Sequence, residues 1–360
     1  MAVYTAIDDP SAFFQTTLYS GSGSQQSITN GGNSDLQPDW LWIKERDGTS
    51  SHQLVDSVRL YYNRLESDNA SAELDAGQTG ATNQNVTSFD SDGFGVKNGG
   101  AVNESGKTYV AWQWKAGTTA SGTTGGSGTG KSYSYSANAT SGFSIVTYTG
   151  NATAGHLIPH GMSKVPRLIH VKSRGDDNGW TSGTIVSASA WNDHGYLHLD
   201  NAFGTDANQF GATPDTTNFR LGTGTGTNGN NGTRVAYCFA DVQGYQKIGK
   251  FVGNGNANGT FVYTGFKPAY IMYKKLNAVG RWSIRDNKRD PFNVATKGLE
   301  ANGSTADNTG SQYWDLDMLS NGFKLRTTEH ESNGSGLNFV FLAIAENPFV
   351  TSTGVPTTAR

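Results

Sequence analysis

The feature that most constrains the fold of this 360-residue chain is a recurrence: four landmarks return three times, in the same order. One is a proline heading an aromatic and aliphatic run that ends in lysine, at residues 38–46 (PDWLWIKER), 166–174 (PRLIHVKSR) and 268–276 (PAYIMYKKL). Another is a phenylalanine alternating with small or polar residues, at 91–97 (SDGFGVK), 216–221 (TTNFRL) and 320–325 (SNGFKL). A third closes each unit, at 109–114 (YVAWQW), 234–239 (RVAYCF) and 339–344 (FVFLAI). The fourth opens it and ends in glycine, at 18–21 (LYSG), 147–150 (TYTG) and 250–253 (KFVG). Pro38, Pro166 and Pro268 are 128 and 102 residues apart, while Val110, Val235 and Val340 are 125 and 105 apart. Two landmarks with nearly the same periods argue against coincidence. Periods above 100 residues are too long for a solenoid, whose units run about 20–50 residues, and suit whole domains in tandem.

The apolar segments are short, aromatic and β-branched, and several alternate with period two between Gly, Asn, Ser and Thr clusters. That pattern predicts an all-β chain with little helix, built as three tandem β-sandwich domains of jelly-roll or lectin-like character. The expected division is an N-terminal arm (1–15), repeat 1 (16–115), a Gly/Ser/Thr linker (116–130), repeat 2 (131–244), repeat 3 (245–350) and a C-terminal tail (351–360). Residues 222–232 (GTGTGTNGNNG) read as a hairpin loop inside repeat 2. Residues 56–66 (DSVRLYYNRLE) fit a short helix capped by Asp56 or a strand, and the pattern does not choose. Trp40, Trp42, Trp112 and Trp114 alternate along strands and read as core, and the aromatics overall as three separate small cores.

Composition closes off other classes. Eight Trp, 15 Tyr and 17 Phe argue against disorder, and a net charge of −3 offers no basic excess for nucleic acid. The single cysteine, Cys238, excludes an internal disulfide framework. No apolar run approaches the roughly 18 residues of a membrane span, and the first ten residues, with Asp8 and Asp9, lack the pattern of a secretory leader. Neither membrane insertion nor a nucleic-acid partner is expected.

Each chemical motif has a plainer reading. Residues 125–132 (GGSGTGKS) match the phosphate-loop spacing, but the segment after them alternates like a strand, where that chemistry needs a helix N-terminus. His194 and His198, like His156 and His160, are four apart, yet a strand rather than a helix is expected at both pairs. Asp176, Asp177 and Asp193 are oxygen-rich, but Asx turns explain them without calcium, so neither metal nor other cofactor is expected. No motif points to catalysis, and the chain reads as non-enzymatic. Trp180, Trp191, Trp282 and Trp314 lie near Gly/Asn/Asp-rich loops. With Asp176, Asp177 and His194 they form the candidate ligand-binding loops, since an aromatic platform beside hydrogen-bonding groups suits a sugar. Phe13 and Phe14 in the arm, and the tail, are candidate docking segments.

The most specific stretches are 52–73 (HQLVDSVRLYYNRLESDNASAE), 142–150 (GFSIVTYTG), 235–244 (VAYCFADVQG), 285–294 (RDNKRDPFNV) and 345–360 (AENPFVTSTGVPTTAR). Across nearly its whole length the chain resembles a repeat family of tail-associated and other virion proteins of marine bacteriophages. The resemblance implies a structural protein on the virion surface, either capsid decoration or tail appendage, assembled in the host cytoplasm and partnered by other virion proteins. A homo-oligomer is expected, and a trimer fits. The other readings are an adhesin for a host surface glycan or receptor and, third, a glycan-cleaving enzyme.

Overall fold

A computed structural model describes residues 4–75, 85–186, 191–307 and 312–357. Across these described residues the chain is all-β: six antiparallel sheets, interrupted by helical turns of three or four residues. Each third of the chain contributes one large and one small sheet. In each large sheet the opening strand (Phe14–Ser20, Phe143–Thr149, Gln246–Val252) pairs with the closing strand (Thr108–Trp114, Thr233–Ala240, Asn338–Pro348). The closing strand pairs with the proline strand (Trp40–Glu45, Pro166–Ser173, Phe266–Lys275), which then pairs with Gln53–Asp56, Trp180–Thr184 or Ser283–Asp286. The small sheets share an order too, with the phenylalanine landmark (Gly93–Val96, Asn218–Leu221, Gly322–Leu325) central in each three-strand core. The landmarks thus fall at equivalent places in the three thirds.

The opening glycine is explained by what it abuts. A Cβ on Gly21, Gly150 or Gly253 would overlap the backbone just past a helical turn, at Glu104, Gly229 and Gly334 respectively. The turn's last residue is a buried asparagine in all three repeats: Asn103, Asn228 and Asn333. Its side-chain oxygen accepts from the amide after the glycine, at 2.9 Å from Ser22, 2.9 Å from Asn151 and 3.0 Å from Asn254. One glycine and one asparagine lock each opening strand to the end of the small sheet, satisfying backbone groups that a buried turn would otherwise orphan.

The two faces of the large sheets bury different things. In the first two repeats one face packs on the small sheet, with Ile43 and Ala111 against Phe94, and Ile169 and Ala236 against Phe219. The other face meets the neighbouring repeats. Trp40, Trp42, Trp112, Trp114, Phe143, Tyr237, Tyr270 and Leu342 belong to one cluster that spans all three thirds. Trp40 stacks on Tyr237 with centroids 4.3 Å apart, and Trp114 meets Tyr270 at 5.7 Å. The expected three separate aromatic cores are therefore corrected: the tryptophans build a shared centre. Alternation identified a buried face, but a strand buried on both faces exposes no side that marks which neighbour it meets.

Other expectations change as well. The 116–130 segment is not a linker, because Thr118–Thr123 pairs with Ser132–Asn138 and extends the second large sheet. Thr and Ser serve an exposed strand as readily as a loop, and only the partner strand distinguishes them. At 56–66 the chain makes a turn and then a strand, Leu60–Leu65. Asp56 caps the turn, accepting from Val58 and Arg59 amides at 3.0 and 2.8 Å. The 222–232 loop carries a helical turn, Thr225–Asn228, between two strands. The arm becomes a 3₁₀ turn, Pro10–Ala12, followed by the first opening strand. Phe14 is buried against Trp114 and Tyr270, while half-buried Phe13 meets Tyr245, so both dock within the chain. The tail bends back at a Val350–Pro356 bridge, and Ser352 donates to Asp8. Residues 1–3 and 358–360 of those two segments lie outside the described residues.

Candidate functional site

The predicted aromatic platform is not at the surface. Trp180, Trp191, Trp282 and Trp314 are all 2% exposed or less. Trp191 packs on Phe210, and Trp314 faces the buried Arg285 guanidinium at 5.2 Å. The Trp180 and Trp282 indoles each donate at 2.8 Å to a carbonyl of the preceding repeat, Glu66 and Tyr196. Their loop-like neighbours in sequence misled, because Trp180 begins and Trp282 immediately precedes a strand at the seam with the preceding repeat. The acidic pair is likewise committed. Asp176 accepts from the Asn178 amide in an Asx turn, and Asp177 accepts from Ala72 of repeat 1. His194 lies within hydrogen-bond distance of the Tyr196 hydroxyl, at 3.1 Å. The candidates are thus scattered over different seams and turns. Among the described residues no group of three His, Cys, Asp or Glu side chains is gathered as for a metal. In the phosphate-loop segment, Lys131 donates to Asn231 at 2.7 Å and the strand Ser132–Asn138 follows.

What converges instead is a set of polar groups at the seams, following one cyclic rule. The residue four before the end of the fourth strand is His52, Trp180 or Trp282. Each reaches back to a carbonyl of the preceding repeat: Glu300, Glu66 and Tyr196. Because the Trp42 indole can only donate, to His52 Nδ1 at 2.7 Å, His52 Nε2 must carry the proton and donate to the Glu300 carbonyl at 2.9 Å. Three backbone bonds repeat the cycle forward: Glu73 to Arg174 at 2.9 Å, Phe203 to Leu276 at 2.9 Å, and Asp307 to Arg46 at 2.7 Å. The three repeats therefore close into a ring.

Among the described residues, two of the three seams also carry a buried ion network. Asp56 pairs with Arg59 at 2.6 Å and accepts from the Tyr237 hydroxyl of repeat 2 at 2.7 Å. Glu73 bridges Arg59 and Arg174, at 2.6 and 2.7 Å. In the seam from repeat 3 to repeat 1, Asp286 pairs with Arg289 at 2.6 Å and accepts from Trp112 at 3.1 Å, and Asp307 bridges Arg289 and Arg46. In the remaining seam the described equivalent positions are Thr184, Leu342, Phe203 and Leu276, while the counterpart of Arg59 and Arg289, residue 187, lies outside the described residues. Ionic and apolar solutions occupy the same geometry. A repeated D-x-x-R at 56–59 and 286–289 is the signal available in the sequence, and its two copies lie in stretches that carry the family resemblance.

The lysine next to last in each proline strand, Lys44, Lys172 or Lys274, is buried. Its ammonium donates to backbone carbonyls, such as Ser173 and Asn178 at 2.8 Å from Lys172 and Leu199 at 3.2 Å from Lys274. Burial pulls all three ammonium groups down to a pKa of about 8, against nearby carboxylates that pull the other way. His52 and His170 are drawn down to about 3 by burial and are neutral at pH 7.

A family model described as a domain of unknown function (DUF7483) matches residues 9–348, and so takes in all three repeats as one unit. No curated protein and no solved structure matches the chain.

Proposed function

The chain belongs to the DUF7483 family, and on that premise we propose that it is a non-enzymatic structural protein of a bacteriophage particle. It is displayed on the particle surface as a capsid decoration or tail appendage. Each repeat is read as a sandwich-like module, and the ring of three as a rigid body that holds small sheets and Gly/Asn/Ser/Thr loops outward for contacts with other virion proteins. The observation that carries this reading is ring closure: His52, Asp56, Arg59, Glu73, Trp112, Trp180, Trp282, Asp286, Arg289 and Asp307 are engaged in holding one repeat to the next. The resemblance of the repeat motifs to virion proteins supplies the particle. The adhesin reading rested on exposed tryptophans and loses that support through their burial.

Cryo-electron microscopy of purified particles, with mass spectrometry of their proteins, tests the proposal. The expected result is density for this ring on the head or tail surface, as single copies or as a homotrimer. Particles that lack the chain altogether overturn it. Inhibition of adsorption by the soluble protein would move the reading to an adhesin.

A further inference from the structure

We propose that the free edge of the first opening strand, Phe14–Ser20, accepts an extended, uncharged peptide strand from a partner protein. The pairing with the closing strand fixes which backbone groups are free. Lys115 donates to Phe13 at 2.9 Å and Gly21 donates to Lys107 at 2.8 Å, so in the unbroken register between them the odd-numbered residues bond inward. The amides and carbonyls of Phe14, Thr16 and Leu18 point away from the sheet, and no described backbone group pairs with them. This edge lies in a cleft of about 590 Å³, with Ala269, Asn287, Lys288 and Glu346 of repeat 3 among its opposite wall.

The molecule completes the equivalent edge elsewhere. In repeat 2 the opening strand Phe143–Thr149 is covered by Ser132–Asn138 (SYSYSAN), which pairs antiparallel along it, with Ser134 opposite Thr147 and Ser136 opposite Ile145. Thr147 and Ile145 are the counterparts of Leu18 and Thr16. In repeat 3 the equivalent edge is blunted, since the Asp241 carboxylate caps the Ile248 amide at 2.7 Å and Lys247 and Lys250 add charge. One edge is filled, one is capped, and the first carries free outward groups inside a cleft. The strand that fills the second edge has no charged residue and alternates Ser with Tyr, which sets the expected chemistry of the partner segment. Strand addition of this kind draws affinity from main-chain hydrogen bonds and specificity from alternate side chains.

The test uses the full chain and a fluorescent peptide of sequence SYSYSAN, read by anisotropy and by amide hydrogen exchange. Saturable binding is expected, with slowed exchange at Thr16 and Leu18 and no change at Tyr19, whose amide already bonds inward. Thr16→Pro removes one outward amide while sparing the inward ladder, a position where an edge strand tolerates proline. It should weaken binding at least tenfold with the thermal midpoint held within a few degrees. Leu18→Pro is the second variant and should act the same way. The proposal is overturned by absence of saturable binding, by binding that both folded proline variants retain, or by protection that maps to another edge. A chain that doubles its mass without peptide, and returns to monomer with Thr16→Pro, would make a second copy the occupant and overturn the foreign-strand reading.

Discussion

The Trp112 indole donates to the Asp286 carboxylate at 3.1 Å, across the seam that joins the last repeat to the first. Its counterpart in the next seam is the Tyr237 hydroxyl on Asp56, and in the third seam the pair becomes Leu342 and Thr184. A donor therefore stands on the closing strand wherever a carboxylate stands across from it, and an apolar residue where none does. Ring closure depends on keeping the two positions matched.

Breaking one partner should cost far more than replacing the set. Asp56→Ala leaves Arg59 buried with only Glu73 to compensate it. The expected loss is about 3–5 kcal/mol, the usual cost of stranding a buried charge. The triple variant Asp56→Thr, Arg59→Met, Tyr237→Leu takes the third seam's residues at 56 and 237, removes the stranded charge, and should recover more than half of that loss. Urea unfolding of the single and triple variants checks this. A triple variant less stable than the single one would contradict the matched-seam account.

The glycine landmark makes a second prediction. A Cβ at Gly150 would run into the backbone of residues 228 and 229. Gly150→Ala should destabilise by about 1–3 kcal/mol, as forced overpacking does. Gly106→Ala, where a Cβ meets nothing but φ is +82°, should cost only the left-handed backbone strain of about 1–2 kcal/mol. Thermal denaturation of each variant separates crowding from strain.

The repeat, the all-β class and the place of Trp40, Trp42, Trp112 and Trp114 in a core were legible in the sequence, because they rest on spacing and period-two alternation. What was not legible is which neighbour each face meets. Trp180 begins its strand beside an Asp/Asn-rich turn, so its local composition resembles a surface loop. Its burial comes from the Glu66 carbonyl of another repeat, 114 positions away. Thr118–Thr123 misled in the same way, since its strand character depends on Ser132–Asn138 lying alongside. The ion networks failed to stand out for a related reason. Asp56 and Arg59 are neighbours in sequence, but Tyr237, which completes the site, is 181 positions away.

Acid should open the seam between repeats 1 and 3 through His52. Its folded pKa is about 3, against about 6.5 for an unperturbed histidine. Between those values the unfolded chain binds the extra proton, so stability contributed by the neutral ring is full above pH 6.5 and is lost as pH falls toward 3. Protonation would also place a donor on Nδ1, where Trp42 already donates. His52→Gln should be less stable than wild type at pH 7, and the gap should narrow as pH drops from 6.5 to 4. Thermal midpoints across that range decide it, and a gap independent of pH would contradict this role.

The buried lysines act in the opposite pH range. The folded pKa of Lys172 is about 8, below the unperturbed value of about 10.4. Both states are protonated well below pH 8, where the folded chain bears the full cost of a buried ammonium, offset by the Ala70, Ser173 and Asn178 carbonyls. As pH rises from 8 to 10.4 the folded state releases its proton first, so this group's contribution to stability increases with pH. Lys172→Met removes the titration and leaves three carbonyls without their donor. At pH 7 the variant should be less stable by about 1–3 kcal/mol, the cost of buried acceptors left unpaired. Stability relative to this variant should rise for the wild type between pH 8 and 10. Urea midpoints of both proteins at pH 7, 8, 9 and 10 measure the difference, and a wild-type advantage that shrinks over that interval would show that the ammonium is not desolvated as its burial requires.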